Sequence, residues 1–243
     1  MSSYSFAEVF ETPMELSHGH MGIISKIVIP KIQRPYAQGR TDTTSTRIRN
    51  RLLKDIFKAL KTGKELELNF VYGNILTNGN PYCNGSHNVM ELLDGQQRLT
   101  TLFLIHWYVT VREYKSHEVV PNRMKKCLHG FVYETRITSS DFCQRLSDFH
   151  PDLCGKNRPS FVIRNSVWYR HCFDCDSSVV GMLRMLDAIH EKYEQETRSF
   201  ERVMDSFKKI IIVEKSMKPR YDEKGYLMMG VKEFLLDTNS LLV

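Results

Sequence analysis

No run in this sequence is apolar for long enough to span a bilayer. The best candidate, Leu99 to Val111, falls short of the roughly 20 residues a spanning helix needs and carries His106. The segment from Met1 to Glu15 holds Glu8, Glu11 and Glu15 and no apolar core of the kind a secretory signal requires. Cysteine is sparse: Cys83, Cys127, Cys143, Cys154, Cys172 and Cys175 are scattered, without the density of a disulfide scaffold. These shortages point to a protein of the reducing cytoplasm. Catalytic signatures are also missing. Gly39 and Gly95 do not sit in a GxxxxGK(S/T) run, and there is no Gly-x-Ser-x-Gly elbow and no His-Asn-His cluster. One CxxC pair, Cys172 and Cys175, follows His171, with Cys154 and His150 as distant company. That falls short of the four fixed ligands of a zinc site, so no metal site is assigned. No internal repeat or low-complexity tract is present.

What remains is an ordinary globular composition. Over 243 residues, 42% are hydrophobic and 26% charged, enough to build a sizeable core and too apolar for wholesale disorder. The net charge of +6 permits contact with nucleotides or nucleic acid without requiring it.

The most informative stretch is Asp94-Gly95-Gln96-Gln97-Arg98. The short apolar run Val89 to Leu93 precedes it, and the apolar run from Leu99 follows. Asp-Gly is turn chemistry, so the pattern predicts strand, tight turn and a buried helix. A helix start offers free N–H groups and partial positive charge to an anion, and Arg98 adds a cationic fork. The plain reading, in which Asp94 caps the helix and the other side chains are solvated, competes with a functional one. A second polar stretch, Gln33-Arg34-Pro35-Tyr36-Ala37-Gln38-Gly39-Arg40, is predicted to be extended because Pro35 disfavours helix at Arg34. It suits a nucleotide, with arginine for phosphate and Tyr36 for a base face or a hydroxyl contact, or else forms an exposed basic loop.

Along the chain, residues 1–28 are poorly patterned except for a first strand at about 23–29 ending at Pro30. Ser45 or Thr46 is expected to cap a helix to Thr62, with Ile48, Leu52, Ile56 and Leu60 on its core stripe and Gly63 as its stop. Leu66 to Val71 alternates like a strand. Gly73 and residues 78–88 read as loop. The second half predicts a helix over 122–130, a short strand after it, and a helix capped by Ser139 or Ser140 running to about Phe149. A loop over 151–159 precedes a helical segment at 165–173. An amphipathic helix starts at Ser177 with Val179, Met182, Leu186 and Ile189 on one face, and Ile210 to Val213 forms a strand. His106 and His190 read as core or rim residues. Arg136 is expected to reach a phosphate or to pair with Glu134 or Asp141. The fold class is α+β, with a mixed α/β region over 1–118 and a mainly helical extension over 119–243.

These motifs resemble the N-terminal domain of GmrSD-type restriction endonucleases, of the ParB/sulfiredoxin-like superfamily. The resemblance rests on Ile29-Pro30, the Gln33 to Arg40 stretch, Tyr72-Gly73, and Asp94 to Leu102. It extends to Tyr133-Glu134-Thr135-Arg136, to Ser139 through Cys143, and to Met182 through His190, so it covers about residues 25–195. It implies a ParB-like domain that binds and hydrolyses nucleoside triphosphate with Mg²⁺, coupled to restriction of foreign DNA by an HNH nuclease domain or subunit. Carried over by position, Asp94, Gln96, Gln97 and Arg98 are the catalytic motif, and Gln33, Arg34, Tyr36 and Gly95 the nucleotide-binding companions. Arg34 and Arg98 are expected on phosphate oxygens, Gln96 or Gln97 on the attacking water or γ-phosphate, and Asp94 on the turn or, through water, on Mg²⁺. From about Lys208 the resemblance is not seen, so a truncated or split member is expected. A nucleotide- or DNA-binding module without turnover and a ParB-like nicking enzyme are the alternatives.

Overall fold

The structure, a computed structural model, describes residues 4–17, 20–68, 71–76, 88–114, 118–153, 157–201, 210–213, 218, 220–221 and 227–230. Contacts divide the chain into two compact units: Met1–Asp55 with Leu66–His190, and Ile56–Glu65 with Glu191–Val243. This division falls elsewhere than residue 118, because a strand from the second half joins the central sheet of the first.

That sheet belongs to the first unit. Its strands are β3 (Ile24–Ile29), β4 (Tyr72–Leu76), β5 (Asn88–Asp94) and β6 (Phe131–Tyr133), in the order β4-β5-β3-β6. Central β3 runs parallel to both β5 and β6, with Val28 opposite Glu91 and Ile29 opposite Tyr133, while β4 lies antiparallel to β5. Ile24, Ile27, Val28 and Ile29 are buried, and the consecutive run Ile27 to Ile29 is what a parallel strand covered on both faces requires, while Lys26 stays exposed. Because β3, β5 and β6 are parallel, their carboxyl ends share one edge. The chain leaving each strand there is residues 30–40, 94–98 and 134–136, which are the polar segments singled out by sequence. Crevices at the carboxyl ends of parallel strands are where α/β proteins commonly place ligands. A two-stranded hairpin of β1 (Met14–Ser17) and β2 (His20–Gly22) precedes the sheet, in a region whose sequence shows no pattern.

The helices of this unit are α2 (Gln96–Glu113), α3 (Asn122–Gly130), α4 (Ile137–Asp148) and α5 (Pro159–Arg164). To these are added the Thr43–Asp55 part of α1 (Thr43–Thr62) and the Ser177–His190 part of α6 (Ser177–Glu201). As its apolar run predicts, α2 is buried over much of its circumference. Phe103, Leu104 and Trp107 are wholly enclosed, and Phe103 stacks on Phe131 of β6 at 4.7 Å. His106 bonds its Nδ1 to the Leu102 carbonyl and packs on Phe6, and buried His190 meets the Tyr108 hydroxyl at 2.9 Å. Both histidines are framework groups. In the second unit β7 (Ile210–Val213), β8 (Arg220–Tyr221) and β9 (Leu227–Gly230) form a sheet in the order β7-β9-β8. Among the described residues no helix is long and apolar enough to cross a membrane.

Several local expectations are corrected. The cap of α1 is Asp42, whose carboxylate accepts the Ser45 N–H at 2.8 Å, rather than Ser45 or Thr46. Its apolar face centres on Leu53 and Ile56, leaving Ile48 and Leu60 exposed. Residues 64–68 are irregular and the strand begins at Tyr72, so Gly73 lies in β4 rather than a loop. Residues 69–70 and 78–87 lie outside the described residues. At the start of α4 no side chain caps the helix, so neither Ser139 nor Ser140 has that role. The segment 165–173 is helical only at its end: residues 165–170 are turn and irregular chain, and 171–173 begin a short 3-10 helix (His171–Cys175). Trp168 in the turn packs on Phe149 at 5.4 Å and Phe142 at 5.9 Å, aromatic contacts that helical spacing does not arrange. Arg136 pairs with buried Asp176 at 3.7 Å, rather than with Glu134 or Asp141. Asp141 instead takes Arg145 and Arg170.

Candidate functional site

Gly95 adopts φ +97°, a left-handed turn that side chains rarely tolerate. This reverses the chain between β5 and α2 within one residue. The start of α2 and its first side chains therefore stand at the carboxyl edge of the sheet, beside the segment leaving β3. A cleft of about 380 Å³ lies between them, lined by Gln33, Arg34, Ala37 and Gln38 on one side and Asp94 through Arg98 on the other. Ser45 and Ile48 of α1 complete the wall. The two motifs, some 60 residues apart in the chain, thus form one site.

The side chains of the second motif hold the backbone of the first. Gln96 Nε2 donates to the Arg34 carbonyl at 2.6 Å and to the Tyr133 hydroxyl at 2.9 Å. Gln97 Oε1 accepts the Ala37 N–H at 2.8 Å, and its Nε2 donates to the Pro35 carbonyl at 3.3 Å. Gln33 Nε2 donates to the Leu93 carbonyl at 3.0 Å, tying the same loop back to β5. Residues 34–37 lie in no helix or strand, so these side chains satisfy backbone groups that regular structure would otherwise serve. From the opposite side, Ser178 of α6 accepts the Tyr36 N–H at 3.0 Å. Gly39 presses on Gly181, where an added Cβ would lie 1.8 Å from the Gly181 carbonyl oxygen, so only glycine fits. Arg49 of α1 donates to the Arg40 carbonyl at 3.0 Å.

Tyr36, expected to offer a nucleotide a base face or a hydroxyl contact, does not line the cleft. It is 0% exposed, its hydroxyl lies 2.7 Å from that of Thr101, and burial raises its pKa so that it stays protonated. The Thr101 hydroxyl also contacts Gln38 Oε1. Burial likewise raises the pKa of Tyr133, the partner of Gln96. Facing solvent, the Asp94 side chain is 72% exposed and that of Arg98 23%. Their charges lie 3.4 Å apart, and Arg98 also donates to the Leu68 carbonyl. Arg34 is exposed and lines the cleft, and among the described residues its guanidinium has no hydrogen bond or ion pair. Among the residues lining the cleft, Asp94 is the one carboxylate. A single exposed carboxylate suits a Mg²⁺ delivered with a polyphosphate, which keeps most of its waters, better than a dedicated metal cage. The site thus draws together all eight residues singled out by sequence, seven as lining and Tyr36 as support. Sequence reasoning missed Ser178, Gly181, Arg49 and Thr101. Only Thr101, inside the apolar run after Arg98, stood near a visible signal.

The fold and site together define an α+β domain with a polar cleft at the carboxyl edge of a mixed sheet. The profile of the GmrSD restriction endonuclease N-terminal domain matches residues 16–232, and the chain belongs to that family. This places it among restriction-endonuclease-related phage-defence domains. The match runs well past residue 195 and includes 208–232, so the expected loss of resemblance from Lys208 is corrected. A search of curated proteins found no match.

Proposed function

We propose that this chain is a nucleoside-triphosphate-binding and hydrolysing module of a restriction system, regulating an HNH-type nuclease domain or subunit that acts on DNA. The observation that supports this most is the convergence of two arginine-bearing segments on one cleft of about 380 Å³ beside the start of α2. That volume falls within the roughly 300–1,000 Å³ usual for small-molecule sites. Arg34 and Arg98 bind phosphate oxygens as fixed cations. Asp94 would hold a nucleotide-borne Mg²⁺ through water, and that ion would supply charge neutralisation at the phosphates. Water attacks the γ-phosphorus and the bond to the bridging oxygen breaks, giving nucleoside diphosphate and phosphate. A binding module without turnover is the second reading, favoured by Gln96 and Gln97 being engaged with the loop rather than open to a water.

Phosphate release by the purified chain, with each of the four nucleoside triphosphates and Mg²⁺, tests the proposal. Wild-type turnover should fall by about 100-fold or more in Arg34→Ala and in Arg98→Ala, the scale of losing one charged transition-state contact. Unchanged turnover in both variants overturns the site. Tight nucleotide binding without turnover selects the second reading.

A further inference from the structure

We infer that Gln96 and Gln97, the paired amides at the centre of the Asp94–Arg98 motif, are positioning residues. They set the backbone of residues 34–37, and so the place of Arg34 at the cleft, rather than touching the reacting phosphate or water. This deepens the proposed nucleotide site and rests on that reading.

Counting donors supports the assignment. A primary amide has two N–H donors. Those of Gln96 go to the Arg34 carbonyl and the Tyr133 hydroxyl, at 2.6 and 2.9 Å. Those of Gln97 go to the Pro35 carbonyl at 3.3 Å and the Gln96 Oε1 at 3.5 Å. Its carbonyl oxygen takes the Ala37 N–H at 2.8 Å. Every amide hydrogen of the pair therefore has a protein partner, and Gln96 is only 4% exposed. Donating an N–H to a phosphate oxygen or a water would require one of these bonds to break, and for the bonds to Arg34 and Pro35 would leave a loop carbonyl unsatisfied. Four consecutive residues of the loop have a backbone group held by a side chain: Arg34 and Pro35 by carbonyl, Tyr36 and Ala37 by N–H. With the backbone held at each of these points, the Arg34 guanidinium is left free to meet a ligand. A glutamine suits Gln97 because one amide, donor and acceptor together, spans the carbonyl of Pro35 and the N–H of Ala37. A methionine of similar volume can do neither.

The test compares Gln97→Met with wild type in an Arg34 and an Arg34→Ala background. Three quantities are read: hydrogen exchange over residues 34–38, affinity for a non-hydrolysable nucleoside triphosphate with Mg²⁺, and turnover at saturation. The expected outcome is faster exchange in the loop and affinity weakened about tenfold, the loss of roughly one charge-assisted contact. Saturated turnover should fall with it, toward but not beyond the loss in Arg34→Ala, because the same guanidinium is displaced. The affinity effect should shrink to under about twofold when Arg34 is already alanine, because both changes act through one group. A fall in saturated turnover with unchanged affinity, persisting in the Arg34→Ala background, overturns the inference and makes Gln97 a catalytic residue. Unchanged exchange in Gln97→Met also overturns it. Should wild type bind no nucleotide, the functional proposal fails, and exchange alone decides whether Gln97 holds the loop.

Discussion

On the inner side of the motif pair, Tyr36 is 0% exposed and Gln96 4%, and each side-chain polar group has a protein partner. On the solvent side, the Asp94 side chain is 72% exposed, and the Arg34 guanidinium, among the described residues, makes no bond at all. The two sides come from the same short stretches of chain, alternating almost residue by residue. A motif of this kind is therefore two devices in one. Part of it is a frame whose loss unfolds the loop, and part is a set of charges whose loss leaves the frame standing. Substitutions across the motif cannot be read alike: a dead variant from the inner side reports architecture, and one from the outer side reports chemistry.

The difference breaks most clearly at Tyr36. Removing a wholly buried ring leaves a cavity between the loop and α2, so Tyr36→Ala should lose about 3–5 kcal/mol of stability, read by denaturant melts. A loss under about 1 kcal/mol, typical of an exposed position, would place Tyr36 outside the frame. On the other side, Arg34→Ala should leave stability within about 0.5 kcal/mol of wild type in the same melts. A large loss there would mean that Arg34 belongs to the frame. The smallest effect concerns the middle of α2, where burial lowers the pKa of His106 from its usual 6.5. A lowered folded-state pKa means that the unfolded chain takes up a proton first as pH falls. The His106 contribution is thus fully present above about pH 6.5 and is lost on acidification below it. Thermal melts between pH 8 and pH 5 should show this decline in wild type and a flatter profile in His106→Gln, within the roughly neutral-to-acid window set by histidine. Equal slopes would mean that His106 is hydrated.

Some of this was legible without coordinates. The turn at Gly95 follows from an Asp-Gly pair between an apolar strand and an apolar helix, a purely local pattern. The start of α6 at Ser177 and the stop of α1 at Gly63 (φ 62°) were readable for the same reason. The failures have a common cause as well. Asp42 outcompeted two hydroxyl residues as a cap because capping depends on where the helix begins, which spacing leaves open by a few residues. Segment 165–170 is turn rather than helix, where Trp168 meets rings distant in sequence, and only 171–173 begin a short helix. Arg136 found Asp176 rather than a nearby acid, since a buried carboxylate draws its partner from whatever element packs beside it.

Local chemistry in the sequence by itself determined the strand, turn and helix around Gly95 and the non-helical run through Pro35, and together with the family resemblance it marked the eight residues, Gly95 among them, that belong to the cleft region. It also carried the family resemblance. Only the tertiary structure decided which of those residues face a ligand. Parallel pairing of β3 with β5 and β6 brings their carboxyl ends to one edge, and no local pattern encodes which strands will be neighbours. Once they are, Gln97 binds Ala37 and Pro35, Ser178 binds Tyr36, and Gly39 meets Gly181. In each of these contacts at least one partner is a backbone group. Every residue type except proline's missing N–H offers the same backbone groups, so the sequence carries no mark of the pairing until the chain has folded.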